Sequence, residues 1–188
     1  MSNSGLIPEI IASYKVYKGT GENLDDPLLG IGNNLTLPTL SQITETLSGA
    51  GILGEYEAAN PGHFSALDMT IPYVAVSEGM FDFDTSQRLF LTIRSTQQST
   101  VKETGGKTYS GIKVIVGGDI KEINLGKLEQ GKQGDSSITL GLTYIKVEIK
   151  YKNEDGSENT ITALELDKFN DVYILNNVDQ LANIKQFT

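Results

Sequence analysis

Apolar and polar residues alternate with a period of two along most of the chain. Residues 88–95 and 112–116 show this alternation most clearly and are rich in β-branched types, as is typical of strands with one buried face. A Gly-Gly pair at 105–106 and the sequence Asn-Glu-Asp-Gly at 153–156 are turn signals. The pattern therefore predicts a mainly β fold, with further strands at residues 13–17, 30–37, 64–71 and 160–166.

The longest alternating run, residues 137–151, changes its parity part-way along. Its apolar residues occupy even positions up to Tyr144 and odd positions from Ile145 onward. Because successive side chains of a strand point to opposite faces, this change requires either a β-bulge or a switch in which face is buried.

Helical patterns are scarce. Residues 74–83 could form a helix, although Gly79 weakens it, and residues 178–186 predict a short C-terminal helix. Residues 40–47 fit a helix with Ser41 as N-cap, or a strand. No repeat, low-complexity tract or linker divides the chain, which predicts a single domain over residues 1–188.

Composition excludes several classes of function. The 188 residues are 38% hydrophobic and 21% charged, with no cysteine, so disulfides and thiolate metal sites are ruled out. The net charge of −9, with no Lys or Arg between Lys18 and Arg88, argues against attraction to nucleic acid. Without a signal-peptide pattern or a long apolar run, we expect a protein made in the cytoplasm that binds no membrane.

Two candidate motifs do not support catalysis or cofactor binding. Residues 49–54 match the Gly-x-Gly-x-x-Gly dinucleotide pattern, but Glu55 and Glu57 follow where phosphate would lie, and Pro61 stops any helix. His63 is the only histidine, which rules out multi-histidine metal sites. We therefore expect no cofactor, no metal and no enzymatic activity.

Three segments in order resemble one known family. Residues 35–40 read Leu-Thr-Leu-Pro-Thr-Leu and precede Glu45 and a Gly-Ala-Gly turn. Residues 119–123 read Asp-Ile-Lys-Glu-Ile and precede Gly-Lys-Gln-Gly at 131–134, while the last segment runs from the aromatic strand 142–149 to Asn-Val-Asp-Gln-Leu-Ala at 177–182. This order is similar to the major tail tube proteins of contractile-tailed bacteriophages and R-type tailocins. Asn177 stands where that family usually has Gly, and its Arg- and Gly-containing tail is missing.

The resemblance implies a tail-tube β-sandwich or barrel with a flanking helix, six copies of which form a ring. Rings would stack into a hollow tube inside a sheath, in a virion tail or tail-like particle made in the cytoplasm of the host bacterium. They would also meet tape-measure and baseplate or terminator proteins. DNA would be transiting cargo only. The resemblance also implies that residues 40–48 are a strand, which pairs with residues 64–71 in a long oligomerisation hairpin, residues 40–71.

The hairpin provides candidate functional residues. Its glycine-rich tip contains Gly49, Gly51 and Gly54. If the hairpin lines the bore, the polar parity should face inward, which predicts the lumen-facing residues Gln42, Thr44, Thr46, Asp68 and Thr70. Alternative interpretations are the tube or effector-carrier protein of a contractile secretion system and a small enzyme or sugar-binding β-sandwich.

Overall fold

The structure, a computed structural model, describes residues 5–21, 24, 26–49, 51–152 and 157–186. These residues form ten strands, one short α-helix and a 3-10 turn at Glu78–Met80, so the predicted mainly β fold is confirmed. The elements are β1 Leu6–Lys18, β2 Gln42–Ser48, β3 Glu55–Phe64, β4 Leu67–Tyr73, β5 Leu89–Val101, β6 Lys107–Asn124, β7 Ser136–Lys152, β8 Glu158–Asp167, β9 Val172–Leu175, β10 Val178–Asp179 and α1 Ala182–Lys185.

Eight of the described strands form one antiparallel sheet in the order β1-β5-β6-β7-β8-β9-β10, with β4 also paired to β7. The N-terminal part of β7 pairs with β4 and the C-terminal part with β8, so these two strands follow one another along the same edge of β7. The turn between β5 and β6 uses Gly105 at φ 69°, as the Gly-Gly signal predicts. The predicted turn at 153–156 lies outside the described residues.

A β-bulge at Thr143 explains the change of parity in β7. Gly117 pairs with Tyr144 while Gly118 pairs with Leu142, which leaves Thr143 as the extra residue. Leu142 and Ile145 are 3% and 2% exposed. The bulge therefore keeps apolar side chains of both parities in one core, and of the two interpretations of the sequence pattern the bulge is the one observed.

The hydrophobic core combines side chains from several strands of the main sheet. On β4, Leu67, Met69 and Ile71 are buried, and they join residues of β5, β6 and β7 in one hydrophobic cluster. The loop before β2 packs Leu28 and three other apolar residues against this cluster: Ile31, Leu35 and Leu40. Full burial of a side chain such as Leu67, Met69 or Ile71 stabilises the fold by about 1.5–3 kcal/mol.

Residues 30–37, predicted as a strand, form only two isolated bridges, Ile31 with Tyr73 and Thr36 with Thr70. That prediction was wrong: the backbone bends at Asn33, between the two bridges, so no continuous ladder forms along this segment. Residues 74–83 likewise form only the 3-10 turn at Glu78–Met80.

The predicted helix at 178–186 is also shorter than expected. Asn176 and Asn177 adopt φ 48° and 63°, a left-handed conformation that asparagine tolerates, and they turn the chain from β9 into β10. Asp179 then accepts a hydrogen bond from the Leu181 N–H at 2.9 Å, and the helix occupies only Ala182–Lys185.

Candidate functional site

A two-stranded hairpin, β2–β3, forms a sheet separate from the main one. Its turn contains the three predicted tip glycines, with Gly51 and Gly54 at φ 91° and 99°. A Cβ added at Gly49, Gly51 or Gly54 would meet no atom within 4 Å, so the tip lies in open space. Since the Gly-x-Gly-x-x-Gly motif joins two strands, it lacks the helix N-terminus that a dinucleotide site needs.

The hairpin differs from the predicted one in its second strand. β2 pairs with Glu55–Phe64, and apart from Phe64 no residue of the predicted partner segment 64–71 pairs with it. The latter segment provides β4, whose alternate apolar side chains are buried against β7. The prediction of the partner strand was therefore wrong, because burial in the core holds β4 in the main sheet.

The register gives the hairpin one polar and one apolar face. Thr46 pairs with Glu57 and Ser48 with Glu55, so the polar parity of β2 shares its face with two carboxylates. On the opposite face, Leu47 pairs with Tyr56, and Glu45 with an alanine. The apolar side chains there are substantially exposed: Ile43 by 50%, Leu47 by 39% and Tyr56 by 51%.

The base of the hairpin is anchored to the rest of the chain. The Ser65 N–H donates to the Ser41 carbonyl at 3.0 Å, and the Phe64 ring contacts the Tyr173 ring edge-on at 5.0 Å. Lys168 Nζ donates to the Ser65 carbonyl at 2.7 Å. Beyond this anchored base the hairpin projects as a two-stranded element. Such hairpins are at best marginally stable in water, so packing against another surface would be needed to stabilise it.

The turn between β8 and β9, residues 167–171, forms a corner that is linked through Arg88 to the bulge of β7. Arg88 Nε donates to Thr143 Oγ1 at 2.8 Å, and the guanidinium lies 4.9 Å from the Phe169 ring and 3.9 Å from Asp167 Oδ1. Burial alone would raise the pKa of Asp167, but hydrogen bonds from Asn170 and the Phe169 N–H, with the charge of Arg88, lower it below its usual value. The carboxylate therefore stays charged and ties the bulge to the corner that supports the hairpin.

The predicted lumen residues fall on two separate surfaces. Gln42, Thr44 and Thr46 share the polar face of β2, whereas Asp68 and Thr70 are exposed on β4 in the main sheet. The structure does not pair these two groups. Asp68 Oδ2 forms an ion pair with Lys121 Nζ at 2.6 Å, so its negative charge has a counterion that lies 53 residues further along the chain and could not be predicted from local pattern.

Glu55 and Glu57 were missing from the predicted set. They share a face with Thr46 and Ser48, and only the correct pairing of β2 with β3 could have identified them.

Comparison with known proteins decides the family. A family model described as phage tail tube protein FII matches residues 9–187. The chain belongs to this family. No curated protein matches the chain. Membership gives the protein a structural role in the tube of a phage tail and places it in the virion tail.

Among the described residues, no group of three or more His, Cys, Asp or Glu side chains could hold a metal ion. Within the same residues, no helix is long and apolar enough to cross a bilayer. The projecting hairpin, with its exposed apolar side chains Ile43, Leu47 and Tyr56, is the main candidate for an interaction surface.

Proposed function

We propose that this protein is the structural subunit of the inner tube of a contractile phage tail or phage-tail-like particle. Six copies form a ring, and the rings stack into a hollow conduit through which DNA or ions pass when the sheath contracts. Its partners are other copies of itself, the sheath protein, and the tape-measure and baseplate or terminator proteins. The observation that carries this proposal is the projecting hairpin with two chemically different faces.

The need for assembly follows from exposed apolar surface. Ile43, Leu47 and Tyr56 lie together on one face of a hairpin whose base is anchored to the rest of the described chain. A contiguous exposed apolar face of this kind marks an interaction surface. Contact with neighbouring copies would cover it and stabilise the hairpin.

The polar faces supply a suitable wall for a bore. We assign to the lumen the polar face of the hairpin, with Gln42, Thr44 and Thr46, and the outer face of β4, with Asp68 and Thr70. Residues 40–64 contain three glutamates and no Lys or Arg. Repeated around a ring, the acidic residues Glu55 and Glu57 would offer passing DNA no phosphate-neutralising contact, so DNA would not adhere.

Electron microscopy of the purified protein tests the assembly. We expect rings of six subunits, or tubes, with an open bore and the hairpin lining it. A protein that stays monomeric at high concentration, or a ring with the hairpin on its outer surface, would contradict the proposal.

A double variant tests the bore itself. Thr46→Lys with Glu57→Lys should still form tubes, because both side chains point into solvent, but DNA delivery by the particle should fall. The matched control is Thr46→Gln with Glu57→Gln, which changes the same positions without adding positive charge and should deliver DNA normally. Loss of tubes in the lysine variant alone would show that this face lies in a packed interface.

A further inference from the structure

The C-terminal turn, residues 176–185, lies against the base of the β2–β3 hairpin. A Cβ added at Gly62 of β3 would lie 2.7 Å from Leu181 Cδ2. The Leu181 side chain therefore packs directly on the backbone of β3, in space that any side chain at position 62 would fill. Gly62 adopts φ 80°, so its backbone conformation favours glycine as well.

Two further contacts join the base of the hairpin to the C-terminal part of the chain. The Phe64 and Tyr173 rings meet edge-on at 5.0 Å, and Lys168 Nζ donates to the Ser65 carbonyl at 2.7 Å. Among the described residues, β2 and β3 pair only with each other. Side-chain contacts at the base, and not a ladder shared with the main sheet, therefore hold the hairpin at its angle to that sheet.

Hydrogen bonds within the C-terminal turn hold Leu181 in place. The Gln180 N–H donates to the Tyr173 carbonyl at 2.8 Å, which folds the turn back along β9. Asp179 Oδ1 accepts the Leu181 N–H at 2.9 Å, and Asp179 Oδ2 forms an ion pair with Lys185 Nζ at 2.9 Å. These contacts fix the turn on β9 and keep the Leu181 backbone where its side chain reaches the hairpin.

We propose that the C-terminal turn is a latch that sets the direction in which the hairpin projects, with Leu181 as its positioning residue. β2 has 7 residues, so it is about 23 Å long at roughly 3.3 Å per residue. A tilt of about 10° at the base would move the tip by about 4 Å, enough to separate side chains that must meet across an interface. The latch is a property of the single subunit, and only its consequence for assembly rests on the tube role proposed above.

The distance between two spin labels, measured by pulsed electron spin resonance on the monomer, reports the direction of the hairpin. The chain has no cysteine, so Glu55→Cys near the tip and Tyr109→Cys on β6 place labels at two exposed strand positions. We expect one narrow distance distribution. Leu181→Ala should broaden this distribution by about twofold. Leu181→Met should restore its width, because methionine refills the contact with Gly62.

Two control variants separate positioning from general stability. Ile184→Ala changes an exposed residue of the same turn and should leave the distance distribution unchanged. Val16→Ala removes buried side-chain atoms from the core at β1. It should lower the free energy of unfolding without broadening the distribution, because it leaves the contact of Leu181 with Gly62 intact.

A disulfide tests the contact itself. Leu181 Cγ, whose place a cysteine sulfur would take, lies 3.5 Å from the Cβ position of residue 62, which is close enough for a disulfide after a small adjustment. Gly62→Cys with Leu181→Cys should therefore form an intrachain disulfide on mild oxidation, seen as a faster band on non-reducing gels. Glu55→Cys with Leu181→Cys is the control, since residue 55 lies at the far end of β3, and should stay reduced in the monomer.

Sedimentation measures the consequence for assembly. If Leu181→Ala leaves the hairpin in the competent direction about one tenth of the time, the critical concentration for tube formation should rise about tenfold. The oxidised variant with cysteines at positions 62 and 181 should assemble like the unmodified chain, because the disulfide fixes the hairpin in the direction that the structure shows.

The outcomes separate the latch from the proposed function. An unchanged distance distribution in Leu181→Ala, equal broadening in Val16→Ala, or no disulfide between positions 62 and 181 would overturn the latch while the tube role stands. Normal tube formation by Leu181→Ala, despite a broadened distribution, would refute the dependence of assembly on the latch. If the unmodified chain forms neither rings nor tubes, the proposed function fails, and the distance measurements on the monomer still decide whether the latch exists.

Discussion

Gly118 lies where β6 passes the bulge of β7, and its replacement by alanine is a sharp test of the fold. A Cβ at Gly118 would lie 2.2 Å from the Gly141 carbonyl oxygen and 2.9 Å from Leu142 Cα. Both obstacles are backbone atoms of β7, so no change of side-chain rotamer can relieve the clash. The two strands must separate locally, which weakens their hydrogen bonds next to the core residue Leu142.

Two neighbouring glycines provide matched comparisons. At Gly117 the added Cβ would meet the Phe90 ring at 2.6 Å, and at Gly141 it would meet Lys121 Cδ at 2.9 Å. The ring can shift at some cost, whereas the flexible end of a lysine can move freely. We expect losses in the free energy of unfolding of about 3 kcal/mol for Gly118→Ala and about 1–2 kcal/mol for Gly117→Ala. Gly141→Ala should be neutral or stabilising by about 0.5 kcal/mol, because alanine restricts the unfolded chain.

Urea unfolding, followed by circular dichroism at a concentration where sedimentation shows the monomer, measures these differences. For a domain of this length, the loss at Gly118 corresponds to a fall in Tm of about 6–12 °C. Equal stability of Gly118→Ala and Gly141→Ala would refute the assignment of the bulge to Thr143, since the backbone contact exists only in that register.

Two further predictions concern polar contacts. Glu9 accepts hydrogen bonds from Lys107, Thr100 and Gln98, and these lower its pKa from 4.5 to about 2. The ionised carboxylate should therefore contribute fully to the free energy of unfolding above pH 4.5, and this contribution should disappear as the pH falls toward 2. Urea titrations across that range should therefore show the stability gap between the unmodified chain and Glu9→Gln closing with acid, and a constant gap would contradict the assigned network. Asp167→Ala leaves the Arg88 guanidinium at the bulge without its carboxylate partner and should lower the free energy of unfolding by about 2 kcal/mol. Thermal unfolding measures this loss. A change below about 0.5 kcal/mol would show that the corner contributes little to stability.

The sequence predicts the strands of the main sheet well because their burial is regular. Residues 89–95 of the first run, and all of 112–116 and 137–151, lie within observed strands, and the parity change in the last run marks the bulge at Thr143. Both features are local, since alternation and its interruption are visible without knowledge of which strands pair.

The partner of β2 could not be predicted in the same way. The segment Glu55–Phe64 contains Pro61 and Gly62, which locally disfavour a strand, and four residues, 60–63, stand opposite the single residue Ile43. Such an interruption is tolerated in a two-stranded sheet because the outer edge of β3 needs no ladder partner. The neighbouring β4 has a better strand pattern, but its position is decided by contacts with β7, about 70 residues further along the chain.

Which face of the hairpin would meet the proposed bore is a different kind of question, since neither face is buried within one copy. The choice depends on what each face gains from contact with a neighbour. Covering Ile43, Leu47 and Tyr56, each between 39% and 51% exposed, would contribute about 1 kcal/mol per side chain, or about 3 kcal/mol per copy. Covering the opposite face would instead remove Glu55 and Glu57 from water with no cation on the hairpin to pair with them, which is unfavourable. The gain from covering the apolar face and the cost of covering the carboxylates favour the same arrangement. An assembly that buries the apolar face and leaves the carboxylates in a water-filled bore is therefore favoured over the reverse by more than either contribution alone.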